Sequence, residues 1–245
     1  MKCLTVERHS MHIIKYADDT VLLECLHDSQ HSDIQEELTQ FTAWCDTNHL
    51  TINELKTKEM LFSNLRHNPS PPPATVHYKE IERVCEYRYL GTILTSKLSF
   101  TLNTDCIVKK ANKRLYIMRK LSALRVKPET IKLAYAAFIE SILTFHLHII
   151  YGHLSGDCKK RLKHVIKTAH RLCNYQLSAT TLEELYNSRF RTKCLRLISS
   201  QDPPILLDKL PSGRGLLPKH RINLRRYCFR SFYTKFYNAF IKPHN

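Results

Sequence analysis

The sequence predicts an α+β protein, with β-hairpins ahead of a run of helices, and three observations carry that expectation. Residues 12–24, HIIKYADDTVLLE, hold two β-prone runs around a short turn. From Asn103 onward apolar residues recur at spacings of three and four, the helical period. The charge divides at nearly the same place. Residues 1–101 carry 10 Lys and Arg against 14 Asp and Glu, whereas residues 102–245 carry 28 against 8. The 245-residue chain is net +16 overall, and a basic block of this length points to a polyanionic partner. With 43% hydrophobic residues, a sizeable core can form.

Each element is argued from local chemistry. His12–Tyr16 and Thr20–Leu23 read as strands, with Ala17, Asp18 and Asp19 as the turn, since Asp bonds its own backbone there. Ser32 or Asp33 begins a helix, with Glu36 and Glu37 favourable in its first turns. Ile34, Leu38, Phe41 and Cys45 fall on one face, and Asn48 is its stop. LTIN (50–53) and EMLFS (59–63) read as strands. RHNPSPPPATV (66–76) has four prolines and reads as an extended surface linker. VHYKEI and YRYLGTIL suggest a second hairpin ending near Leu94. Ile107, Ala111, Leu115, Met118, Leu121 and Leu124 then form an apolar helical stripe. Pro128 and Glu129 open a second helix running to about Ile150. A third runs from about Asp157 to Tyr175, with Leu162, Val165, Ile166, Ala169 and Leu172 inward and Lys159, Lys160, Arg161, Lys163, Lys167 and Arg171 outward. Further helix is expected around 180–198, and the tail after Leu210 interleaves Arg and Lys with Tyr and Phe.

Several function classes are disfavoured. The nine cysteines form no CxxC pair, and their odd, dispersed count fits reduced thiols in an intracellular protein, nuclear or cytoplasmic. His170 and Cys173 are spaced as a metal pair, but a structural zinc takes four ligands. No HExxH is present, and the first residues do not read as a secretory signal. The longest apolar stretch, residues 131–152, carries Glu140 near its middle and reads as a core helix, so no membrane partner is expected.

Asp18 and Asp19 are the candidate catalytic groups. Phosphoryl transfer between nucleotides is commonly run by paired divalent cations, and Mg²⁺ takes one or two carboxylates together with phosphates and water. Adjacent acids in a rigid turn offer such oxygens. Tyr16-Ala17-Asp18-Asp19 between β-prone runs resembles the palm motif of reverse transcriptases. FTAWCDTNHLTINELKTKEMLFS resembles the segment downstream of that motif in the non-LTR, LINE-type retrotransposon enzymes, and YRYLGTIL resembles their primer-gripping hairpin. Residues 105–175 look like the thumb and the region after it, and LPSGRGLLPKHRIN resembles a tail of LINE-derived open reading frames. The likeness covers nearly the whole chain, in order.

The resemblance implies a partial reverse-transcriptase palm (residues 1–66), a Pro-rich linker (67–75), a primer-grip-like hairpin (76–101), a basic α-helical thumb (102–176) and a helical, basic C-terminal region (177–245). It implies Mg²⁺ on Asp18 and Asp19, and Tyr16 near the primer end. Lys56 would assist departing pyrophosphate, and Tyr89, Leu90 and Gly91 would position the primer. Lys109, Lys110, Lys113, Arg114 and Lys120 would meet the phosphates of an RNA template–DNA primer, fixing register without reading sequence. The family's palm also needs a third carboxylate on an earlier strand, basic fingers and a nucleotide-selecting helix. The expectation is therefore a C-terminal portion of a retroelement RNA-directed DNA polymerase, inactive alone, with residual nucleic-acid binding. Strands 12–23 and 50–63 are expected to keep an unpaired edge.

Two rival readings stand beside this one. The helical half alone is a non-catalytic nucleic-acid-binding or interaction module. Residues 96–131 are similar to a short helical region at the N-terminus of AlkB-type tRNA-modifying enzymes, which combine a methyltransferase with an iron/2-oxoglutarate dioxygenase. No HxD with a distant His and Arg, and no Gly-rich methyl-donor loop, accompanies that similarity; the chain has only five glycines.

Overall fold

Mixed α and β structure is what the chain forms in the computed structural model, which describes residues 11–24, 26, 32–62, 71–173 and 181–199. The expectations for the first residues, the start of the linker, residues 174–180 and the tail lie outside the described residues. The chain divides between Leu98 and Ser99 into two units, each with its own interior.

The first unit opens with β1 (Met11–Tyr16) and β2 (Asp19–Glu24), antiparallel, with Tyr16 opposite Asp19 and Met11 opposite Glu24. The turn is two residues long, Ala17 and Asp18, so Asp19 is already in the strand. Beyond it comes α1 (Ile34–Thr47). Neither Ser32 nor Asp33 caps it in the ordinary way. Instead the Glu24 carboxylate accepts from the Asp33 backbone N–H at 2.8 Å and from the Ser32 hydroxyl at 2.6 Å, tying the helix start to the hairpin. A second tie is electrostatic. Lys15 Nζ lies 4.3 Å from the Trp44 ring and 5.9 Å from Phe41, which stack on each other, a cation–π contact worth about 0.5–1 kcal/mol at an exposed site.

α1 ends at Asn48, as its sequence suggests, in a Schellman turn. His49 at φ 57° donates to Asp46 O, and Leu50 N–H donates to Cys45 O at 2.9 Å. LTIN is not a strand. Asn53 organises a turn there, its side chain accepting from Lys56 N–H and its carbonyl from Thr57. Of the described residues of EMLFS, 59–62, only Glu59 is strand, in β3 (Lys58–Glu59).

The single hairpin expected after the linker is two. β4 (Thr75–Val76) and β5 (Lys79–Glu80) pair around His77 and Tyr78, both at positive φ. β6 (Glu82–Arg83) then pairs in parallel with β3, and opposite charges face each other: Lys58 with Glu82, and Glu59 with a forked Arg83. β7 (Glu86–Tyr89) and β8 (Thr92–Thr95) form the second hairpin around Leu90 and Gly91. Two residues read as linker are interior: Pro71 is buried and accepts from Arg83, and Ala74 joins Leu38, Val76 and Ile81 in the core, with Leu22, Ile34 and Ile52 packed around it. Gln35 reaches from α1 to pair with both backbone groups of Thr75, at 2.7 and 3.1 Å.

The second unit is helical. α2 (Thr101–Ala123) buries Ile107, Ala111, Leu115 and Met118, as the periodicity predicts. Leu124 is not part of that face; the helix has ended, and its side chain is 73% exposed. The second helix is not continuous to Ile150. α3 (Pro128–Tyr135) passes into a π-helical turn (Ala136–Glu140), then α4 (Ser141–Thr144). Phe145 turns extended and His146 left-handed at φ 53° before α5 (Leu147–Ile150). Pro128–His153 is long and apolar enough to cross a membrane by length and composition alone. In this unit it is broken at Phe145–His146, and Ile139, Leu143, Leu147 and Ile150 are sealed in the interior.

α6 (Gly156–Leu172) starts at Ser155, whose hydroxyl accepts from Cys158 N–H, and buries Leu162, Val165, Ile166 and Ala169 as expected. α7 (Leu182–Ser199) starts with a reciprocal capping box: Thr181 and Glu184 each accept from the other's backbone N–H, at 3.2 and 2.8 Å. Tyr186 and Phe190 of α7 carry the core onward, Tyr186 stacking on Tyr151 at 4.5 Å.

Candidate functional site

Each unit contributes a candidate site, and each is built from its own residues. In the first unit the two-residue turn between β1 and β2 sets Asp18 and Asp19 at the tip. Ala17 at φ 53° occupies the left-handed position that glycine usually takes, a conformation costing an L-residue about 1–2 kcal/mol. The strain is held by the ladder on either side. Tyr16, Asp18 and Asp19 are all exposed, and among the described residues neither carboxylate has a hydrogen-bond or ion-pair partner.

Mg²⁺ is the cation this chemistry implies. Two exposed carboxylates fit one water-rich contact completed by substrate phosphates. They do not fit a two-metal centre, because no group of three or more His, Cys, Asp or Glu converges among the described residues. That finding also covers His170 and Cys173: His170 packs edge-on against Tyr135, and Cys173 is buried.

Lys56 stands exposed on the Asn53 turn, its backbone rather than its ammonium engaged. Tyr89, Leu90 and Gly91 form the tip of β7–β8. Leu90 and Gly91 have φ of 44° and 85°, the two left-handed residues of a type I′ turn. The glycine is therefore required by its own turn, whatever part the tip has in positioning a primer. Tyr89 and Leu90 are half-buried, which leaves the tip as a stable projection of the unit.

The second unit contributes a basic surface on α2. A residue advances about 100° around an α-helix. Lys109, Lys113 and Lys120, at spacings of four and seven, fall within one narrow stripe opposite the buried face, and Tyr116 lies in the same stripe. The stripe is about 16 Å long, at 1.5 Å per residue. Tyr116 is 56% exposed, and Lys120 Nζ lies 5.5 Å from its ring centre. All three lysines are exposed, and among the described residues none has an acidic partner. Lys110 is exposed on the flank. Arg114 stands apart from the other candidates: it is half-buried, and its guanidinium donates to Phe138 O at 3.3 Å. Its fork holds α2 to the π-helical turn. Tyr116 was missed by sequence reasoning, although its place three residues after Lys113 and four before Lys120 was there to be read.

Titratable groups inside the second unit are shifted by burial and belong to the core. Tyr135 is pushed up to about 12, mainly by desolvation and further by Glu140. Cys194 is likewise pushed up to about 12 by burial. Burial holds His146, His148 and His153 below the ordinary imidazole value. None of these groups lies on the basic stripe.

Compared with known proteins, the chain matches no family model, no curated protein and no solved structure.

Proposed function

We propose that the chain is a nucleic-acid-binding portion of a non-LTR-type reverse transcriptase, in which the basic helical unit holds the phosphate backbone of an RNA template–DNA primer. The observation that carries the reading is the α2 stripe: Lys109, Lys113 and Lys120 aligned, exposed and free of acidic partners among the described residues, with an aromatic ring between them. Cations one and two turns apart neutralise phosphates along a strand, and a π-face accepts any base, so recognition is sequence-tolerant and strongly salt-dependent. Neutralising the stripe with K109Q/K113Q/K120Q lowers the slope of log affinity against log salt by about three, by the usual increment per phosphate on a duplex. Salt-independent binding by the unaltered chain, or no binding, refutes the reading.

The hairpin tip fits the palm-like part of the same proposal, with Asp18 and Asp19 offering one Mg²⁺ contact. The lack of a third donor among the described residues favours a second reading, a binding module without chemistry. The two separate on a primer–template. A palm-like tip makes binding at a recessed primer end respond to Mg²⁺, and D18N/D19N abolishes the response. A pure module is indifferent to both. Neither reading has this chain extending a primer by itself.

A further inference from the structure

α6 carries a second basic stripe. Lys160, Lys163, Lys167 and Arg171 succeed one another at spacings of three, four and four, and so lie on one outward arc of the helix. All four are exposed, and among the described residues none is paired with an acid. The arc opposite them, Cys158, Leu162, Val165, Ile166 and Ala169, is buried in the core. α6 runs beside α2, and Arg161 reaches across the seam to Asp105 at 2.5 Å, so the α6 stripe is separated from the α2 stripe by a neutralised edge.

This arrangement works against the helix. Like charges three and four residues apart destabilise an α-helix, and Lys160 and Lys163 stand in its N-terminal half, where the dipole disfavours cations. Only Arg171 sits where the dipole favours it. One acidic residue, Asp157, is present in the helix, and it lies in the first turn, before the stripe. Apart from Arg171 the pattern does not favour the helix, whereas it favours binding of a regularly charged ligand.

We propose that the α6 stripe is a second nucleic-acid-binding surface, one that takes the phosphate backbone of a duplex; the proposal rests on the nucleic-acid-binding reading above. Three features select the ligand. The cations recur once per turn over about 16 Å, matching a linear polyanion. The stripe has no exposed Phe, Tyr or Trp, its one ring being the small imidazole of His164, so it lacks the broad stacking platform on which single strands depend, and a duplex offers backbone with its bases sequestered. Anionic lipid is disfavoured, because a helix that lies in a membrane surface inserts its apolar face, and here that face is committed to the core.

The test uses the full chain with K160Q/K163Q/K167Q, beside the α2 variant K109Q/K113Q/K120Q and the six-fold combination. The probes are a short RNA–DNA duplex, a single-stranded RNA and phosphatidylserine vesicles, titrated over a salt series. The α6 variant is expected to lower the duplex salt slope by about three and the combination by about six, with the single strand less affected by the α6 changes. Far-UV circular dichroism and thermal melting confirm that each variant is folded; a destabilised triple variant is replaced by single Lys→Gln changes, each expected to lower the slope by about one. If the α2 changes weaken duplex binding and the α6 changes leave it untouched, the second surface is overturned while the first stands. Loss of vesicle binding alone overturns it too. If the unaltered chain binds none of the nucleic acids, both readings fall.

Discussion

Three of the eight non-glycine residues at left-handed positions among the described residues stand where the chain changes course. Ala17 turns the carboxylate hairpin, His49 closes α1, and His146 breaks the apolar helix, at φ of 53°, 57° and 53°. In a chain with five glycines these sites went to residues that adopt the conformation at a cost. His49 is the clearest case, since both Schellman hydrogen bonds are in place and only the side chain opposes the geometry. His49→Gly is expected to stabilise the first unit by about 1 kcal/mol, the left-handed penalty less the added freedom of the unfolded chain. Urea denaturation monitored by Trp44 fluorescence reads this. At the same scale, the sequence showed which acids stand at the hairpin tip, and Asp18 and Asp19 are there. It did not show that the turn holds only Ala17 and Asp18, because pairing of Tyr16 with Asp19 is decided by the ladder and not by turn propensity.

Elements were legible where one periodic face meets one core. α2 and α6 bury most of the residues that their spacing marks, because a stripe three and four apart has one way to face inward; Leu121, Leu124 and Leu172, at or past the helix ends, are not sealed. Short strands were not. β3 and β6 are two residues each, and their parallel pairing rests on crossed charges, Lys58 with Glu82 and Glu59 with Arg83, that lie more than twenty residues apart. The second helix misled for a different reason. Its apolar pattern is continuous, and Leu143 and Leu147, four residues apart, would share one face of an unbroken helix, so nothing in the spacing marks the change of course at Phe145 and His146. Caps were partly readable: Thr181 and Glu184 have the sequence spacing of a capping box, whereas Glu24 serving α1 does not. Ser155 is the one side chain capping α6, through Cys158 N–H at 3.2 Å. Ser155→Ala is expected to cost about 1 kcal/mol, and Ser155→Asp to retain the cap, by thermal unfolding of the second unit.

Over the molecule as a whole, the shift in charge near residue 101 falls close to the division between the two units, the first made of short strands, turns and one helix and the second helical among its described residues. Stability depends on pH through the helical unit. Burial holds His146, His148 and His153 below 6.5, with His146, Lys193 and Arg189 adding to the effect at His148. The unfolded chain therefore takes up protons that the folded one refuses, between the folded values and 6.5. The stabilisation from neutral burial is fully present above that window and is lost as pH falls through it. The melting temperature of the second unit is expected to drop as pH falls below 6.5, and His148→Gln to flatten the decline.

The same burial governs the sulfur chemistry. Cys158, Cys173 and Cys194 are enclosed in the second unit and Cys45 in the first, while Cys85 stands exposed on the loop before β7. Burial raises Cys45, Cys173 and Cys194 away from the thiolate form, so closed protein offers electrophiles neither access nor a nucleophile at these positions. Alkylation of Cys45 then records opening of the hairpin–helix unit, and alkylation of Cys194 records opening of the helices. The chain carries, in its own thiols, a separate clock for each half.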